Sequence, residues 1–195
     1  MKTIITLFAI LFLVSNTFAV TQIEVYSSNE DEYFQTYKFP APFKKTTKAY
    51  LDLDEDLSSK KVIIKPKNNA SYRAFIQIET SLTIMNEGPH LDLINWKHCT
   101  TEWLEINQIS STEFSLPRIN EIDINCFPKV TVSEIRDEAY KQGGQRWADL
   151  IGFNASIDEY PIAVAISSIR LKVEEKVKGT WQLITLLDFS IPMGC

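Results

Sequence analysis

Residues 72–85 read Tyr-Arg-Ala-Phe-Ile-Gln-Ile-Glu-Thr-Ser-Leu-Thr-Ile-Met, and this stretch decides the fold class. Tyr72, Ala74, Ile76, Ile78, Leu82 and Ile84 occupy even positions; Arg73, Gln77, Glu79, Ser81 and Thr83 occupy odd ones. Successive side chains of a strand point to opposite faces, so this period of two describes one buried face and one wet face. At about 3.3 Å per residue the run extends for roughly 45 Å, well beyond an ordinary strand. A strand that long must bend, twist strongly or pass between two sheets.

The C-terminal third repeats the pattern with a change of phase. Ile162, Val164 and Ile166 are apolar on even positions, and Ile169, Leu171 and Val173 on odd ones. One extra residue produces such a switch, which places a β-bulge at Ser167-Ser168. Residues 176–179 read as a hairpin turn. The returning strand is expected to put Trp181, Leu183, Leu187, Phe189 and Ile191 on one face. Shorter strands are expected at 22–27, 33–39, 48–53, 61–65, 90–96, 102–109 and 121–127.

One segment departs from the β pattern. Thr131 and Glu134 form a capping box, in which hydroxyl and carboxylate each satisfy a free backbone N–H at a helix start. Ile135 and Ala139 follow at helical spacing, Gly143-Gly144 interrupts, and Trp147, Leu150 and Ile151 point to a second short helical turn. The expected fold is therefore mainly β: an antiparallel β-sandwich with one short helical insertion at about 131–151.

The first nineteen residues describe an address. Lys2 precedes an apolar run over 4–14, interrupted by Thr6, and Thr17-Phe18-Ala19 resembles a small-residue cleavage site. The run is too short for a stable bilayer anchor, which needs roughly 20 apolar residues. No Cys follows the cut, so a lipid anchor is not indicated. The expectation is a signal peptide over 1–19, a single β-sandwich-like domain over 20–195, and a secreted or periplasmic product. The chain has 20 basic and 25 acidic residues, and its net charge of −5 becomes −6 without Lys2. That balance argues against a nucleic-acid partner and against an anionic membrane surface. Asn-Ala-Ser triplets begin at Asn69 and Asn154, each a glycosylation acceptor in a eukaryotic secretory pathway.

Export favours a disulfide, and three cysteines leave one unpaired within the chain. Cys126 extends the apolar series Ile122, Ile124; Cys195 extends Leu187, Phe189, Ile191, Met193. Cys99 lies among Lys97, His98 and Thr100. Parity thus favours Cys126–Cys195 and leaves the state of Cys99 open.

Both histidines fall in one stretch, His90-Leu-Asp92 through Trp96-Lys97-His98-Cys99. His90, Asp92 and His98 are the residue types of a hydrolytic centre or metal site. In a straight strand His90 and His98 would stand about 26 Å apart, so a shared site demands a tight turn, for which Asn95 is suited. Asp52, Asp54, Glu55 and Asp56 resemble a calcium loop, but Leu57 replaces its turn glycine and Ile63 its bidentate glutamate. Gly143-Gly144-Gln145 lacks the Lys-Ser/Thr of a phosphate-binding loop, and no nucleophile elbow, His-Glu-x-x-His or Cys-x-x-Cys is present. No cofactor is implied. Of the four tryptophans, Trp96 and Trp103 are the candidates for a binding contact. The leading expectation is a non-enzymatic module that binds another protein, in its sharpest form an immunity or inhibitor protein. The alternatives are a secreted hydrolase using the His/Asp group and a surface-assembly component.

Overall fold

The computed structural model describes residues 19–28, 34–52, 55–152, 156–157 and 159–193. The expected leader up to Phe18, Asp54, Asn154 and Cys195 lie outside the described residues. In chain order the strands are β1 (Val20–Ser28), β2 (Phe34–Pro40), β3 (Thr46–Tyr50), β4 (Lys61–Pro66), β5 (Tyr72–Met85), β6 (His90–Asp92), β7 (His98–Thr100), β8 (Leu104–Glu105), β9 (Asn107–Gln108), β10 (Glu113–Ser115), β11 (Ile162–Val177) and β12 (Thr180–Ser190). The helices are α1 (Val132–Gly143) and α2 (Gln145–Leu150).

The strands form two sheets. One has the order β2-β1-β4-β10-β9. The other runs β3-β12-β11-β5, and β6, β7 and β8 each pair with β5 on its far side. All pairs are antiparallel except β3 with β12, which is parallel. The fold is mainly β, sandwich-like, with one helical excursion.

β5 is one continuous strand whose even face is buried from Tyr72 to Ile84. Two different layers cover that face. Its first half, with Ala74, Ile76 and Ile78, packs against Ile23 and Val25 of β1, Val62 and Ile64 of β4, and Phe114 of β10. Its second half, Leu82 and Ile84, packs against Ile135, Ala139 and Ile151 of the helical layer, with Leu93 between. Truncating any of these buried isoleucines or leucines to Ala is worth about 2–5 kcal/mol.

The expected bulge is present. β11 pairs with β5 as Ile166↔Thr80 and then Ser168↔Glu79, so Ser167 is the extra residue. Before it the even residues of β11 share the buried face of β5, and after it the odd residues do. β11 then turns at Lys178-Gly179, whose φ values of 50° and 85° suit the tight two-residue hairpin. β12 brings a correction. It carries a second register shift, in which Val173↔Thr185 is followed by Glu174↔Leu183, so Ile184 is extra. Leu187 and Phe189 are buried, but Trp181 and Leu183 lie on the opposite, outer face. The run Leu183-Ile184-Thr185-Leu186-Leu187 is apolar in both phases, which hides the shift from parity alone.

The capping box holds α1 as expected. Thr131 N–H donates to Glu134 Oε2 at 2.7 Å and Glu134 N–H donates to the Thr131 hydroxyl at 3.3 Å. Lys97 donates to the same carboxylate group at 2.9 Å. Lys97 first, then the Thr131 backbone and hydroxyl, hold the Glu134 carboxyl down to about 2. Gly143 is required by packing: a Cβ there would lie 2.3 Å from the Trp147 ring.

Residues 121–127 do not form the expected strand. A 3₁₀ turn over Ile119–Glu121 leads into extended chain, and the Asp123 carboxylate caps the Asn125 N–H at 3.0 Å. Ile122 and Ile124 pack on the sandwich core, but the local turn ends their alternation and leaves Cys126 exposed. Cys99 stands opposite Thr80, on the buried face of β5, flanked by exposed His98 and Thr100. The disulfide is therefore Cys99–Cys126, with Cα atoms 5.5 Å apart, and the expected Cys126–Cys195 pairing is overturned. It ties the segment entering α1 to the edge of β5. Non-reducing peptide mapping should recover Cys99 linked to Cys126, and Cys126→Ser should lower stability by about 3–4 kcal/mol for a loop of this length. A Cys126–Cys195 peptide would contradict this pairing.

Candidate functional site

The outer face of the seven-stranded sheet gathers most of the chemistry-bearing side chains. Residues directly opposite in a β ladder share a face. Met85↔His90, Thr83↔Asp92 and Ser81↔His98 therefore place both histidines and Asp92 on the outer face, beside odd positions of β5. A turn over 94–97, containing Asn95, returns the chain to the same edge, and Leu93 anchors it through an N–H bond to the Leu82 carbonyl at 2.8 Å. His90 and His98 thus face stations on β5 about 13 Å apart rather than 26 Å.

His90 and Asp92 form a pair: Nδ1 lies 2.9 Å from Asp92 Oδ1, and both side chains are partly exposed. Thr83 donates to the same oxygen at 2.7 Å. Asp92 fixes the His90 ring with Nε2 facing away. Thr83 spends its proton on the carboxylate, and Ser81 is buried in a 2.8 Å bond with Ser167. Neither hydroxyl is presented to His90 as a nucleophile. His98 is exposed, and among the described residues no group of three His, Cys, Asp or Glu side chains is arranged to hold a metal. In the acidic segment, the Glu55 and Asp56 carboxylates are likewise engaged internally. Glu55 accepts from the Tyr37 hydroxyl, from Ser27 at 2.8 Å and from Asp52 N–H at 2.7 Å, while Asp56 caps Ser58 N–H at 2.7 Å. Burial first, and Glu55 next, push the Tyr37 hydroxyl well above its usual range.

The middle of the face is an ion-pair network. Arg170 reaches Glu79 at 2.6 Å and Asp188 at 3.6 Å, and Ser168 donates to Asp188 at 2.7 Å. Glu79 is 8% exposed, so removing Arg170 would strand a buried charge.

Beyond it lies a ladder of alternating rings and cations. Lys172 Nζ sits 4.9 Å from the Trp103 ring centre and 4.1 Å from that of Phe75. The Arg73 guanidinium lies 5.0 Å from Phe75 and 4.5 Å from Trp181, and Lys176 lies 5.7 Å from Trp181. Glu174 pairs with Arg73 at 2.6 Å and with Lys172 at 3.8 Å. The rings are half-buried, held against the sheet with one side toward solvent.

The two tryptophans singled out from sequence part company here. Trp103 belongs to the ladder, whereas Trp96 packs on the helical-layer core and carries Lys97 over its ring at 5.1 Å. Phe75, Arg73, Lys172 and Trp181 escaped the sequence reading. The signal for Arg73 and Phe75 was present in the odd positions of β5 and that for Lys172 in the even positions of β11 after the bulge, but Trp181 joins them only through the shift at Ile184. A separate cavity of about 480 Å³, lined mainly by Ile124, Phe127, Pro128, Val130, Ile157 and Val164, lies toward the helical side. Asn69 and Ser71 are exposed in the β4–β5 loop, with Ala70 between them turned onto the core. Among the described residues no helix is long and apolar enough to cross a membrane.

No family model, no curated protein and no solved structure matches the chain.

The ladder has a measurable coupling. Lys172→Met keeps the aliphatic stem and removes the charge, and a double-mutant cycle with Trp103→Leu should return about 0.5–1 kcal/mol in urea unfolding. Additive single-mutant effects would contradict the contact.

Proposed function

We propose that this is an exported binding module that recognises another protein through the outer face of its seven-stranded sheet, an immunity or inhibitor protein being the sharpest form of that class. The observation that carries the reading is the ladder Trp103, Lys172, Phe75, Arg73, Trp181, Lys176, with its rings half-exposed. Interface hot spots are enriched in Trp and Arg. Rings already fixed by cations and by long paired strands lose little freedom on binding, which favours affinity. The address over residues 1–19 and the Cys99–Cys126 bridge both accord with an oxidising, exported setting.

The charge of the patch specifies the partner's chemistry. Arg73, Lys172 and Lys176 stand against Glu174 within the ladder and Glu105, which faces Phe75 at its edge, an excess of one positive charge on a chain of net charge −5. The complementary surface is acidic, with apolar or aromatic groups to cover the rings. The His90–Asp92 pair contributes polar contacts at the opposite end of the same face.

The test uses the wild-type protein and Lys172→Glu side by side. A protein retained from native secretions is purified and titrated against both. The expected result is at least a tenfold loss of affinity with Lys172→Glu, a steep loss with added salt, and protection of β5 and β11 from hydrogen exchange in the complex. Undiminished binding, or protection confined to the five-stranded sheet or the helices, would overturn the proposal.

A further inference from the structure

At the end of the sandwich where the chain enters β1, a carboxylate is buried without a charged partner among the described residues. Glu175 is 3% exposed and stands opposite Tyr72 on β5 and Gln182 on β12. The Ala19 N–H donates to its Oε2 at 3.3 Å. Its other neighbour is the Tyr72 hydroxyl, pushed up to about 12 by burial first and by the Glu175 charge and hydrogen bond next. Neither donor is cationic, so two neutral hydrogen bonds alone offset the cost of burying the charge. The chain entering β1 is held in the same region. The Ala19 carbonyl accepts from Lys67 N–H at 2.7 Å and from the Tyr72 hydroxyl at 3.3 Å, and Val20 is 1% exposed.

We propose that Glu175 is the built-in counter-ion for the α-ammonium group created when the leader is removed. The proposal rests on the reading of residues 1–19 as a cleaved signal peptide and goes beyond it. Hydrolysis of the Ala19–Val20 bond by a signal peptidase consumes one water, leaves a carboxylate on Ala19 and an ammonium on Val20. The departing residue takes away the N–H that Glu175 accepts from and the carbonyl that both Tyr72 and the Lys67 N–H donate to. The Val20 ammonium, one peptide unit along, supplies a replacement donor together with the missing charge. Tyr72 keeps Glu175 as its acceptor. Before cleavage the Val20 nitrogen is a neutral amide, so the mature chain alone has the ion pair.

The probe is the α-nitrogen itself. Protein exported with its own leader and labelled with ¹⁵N-valine is sequenced from its amino terminus, and the α-¹⁵N resonance is titrated beside Glu175→Gln. An adjacent anion favours the charged form of an amine, which raises its pKa. The expected result is Val20 as first residue, with an amine titrating at least one pH unit above the ordinary range of about 7.7–8.0, and a return to that range in Glu175→Gln. A chain beginning elsewhere overturns the leader reading and the pairing with it. Val20 first with an ordinary titration, or a shift that persists in Glu175→Gln, overturns the pairing alone. If Glu175→Gln does not fold, the wild-type titration decides by itself.

Discussion

The structure depends on one constraint: β5 must keep a single face dry along its whole length while two unrelated layers cover it. The five-stranded sheet covers the half that carries Ala74, Ile76 and Ile78, and the helices cover Leu82 and Ile84. Because β5 never changes phase, its partner must. Ser167 absorbs that change as a bulge in β11, where a small hydroxyl side chain fits and bonds to Ser81 at 2.8 Å. A bulge in β5 itself would have turned one of the two apolar sets toward water. The two cores are thus held by one pair of strands, and the Cys99–Cys126 bridge fastens the approach to the helices onto β7, the edge strand paired with β5.

Features written in a few adjacent residues were legible in the sequence. The alternation of β5, the phase switch at Ser167-Ser168, the Lys178-Gly179 turn and the Thr131/Glu134 capping box each depend on local geometry, and each is found where the residues place it. Features set by tertiary packing were not. Extrapolating strand parity to Cys126 failed because the Asp123 turn breaks the extended chain just before it. Cys99 was misjudged for a complementary reason: on a short edge strand, polar neighbours on either side are what a single inward residue between two outward ones looks like. The shift at Ile184 was masked by an unbroken apolar run.

The same division applies to the outer face. That a turn would have to return the chain between His90 and His98 was visible, and residues 94–97 provide it, although only His90 and Asp92 meet; that the carboxylate would take Thr83 as a second donor was not. The ladder was further from view, because its members come from the strand-edge segment before β8 and from β5, β11 and β12, and only the register sets them side by side. Cross-strand neighbours are the unit of sheet energetics, and they have no signature in any one window of sequence. One continuous strand pair thus carries the cores on one side and the proposed recognition surface on the other. Rigidity demanded by the interior is handed directly to the exterior.

Native-state hydrogen exchange tests that unity most directly, since amides that open together belong to one cooperative unit. The expected result is a single slowest-exchanging class containing the paired amides of β5 and β11 on both sides of Ser167. Exchange of residues 82–84 and 162–166 through a separate, much easier opening, while 72–78 stay protected, would contradict it.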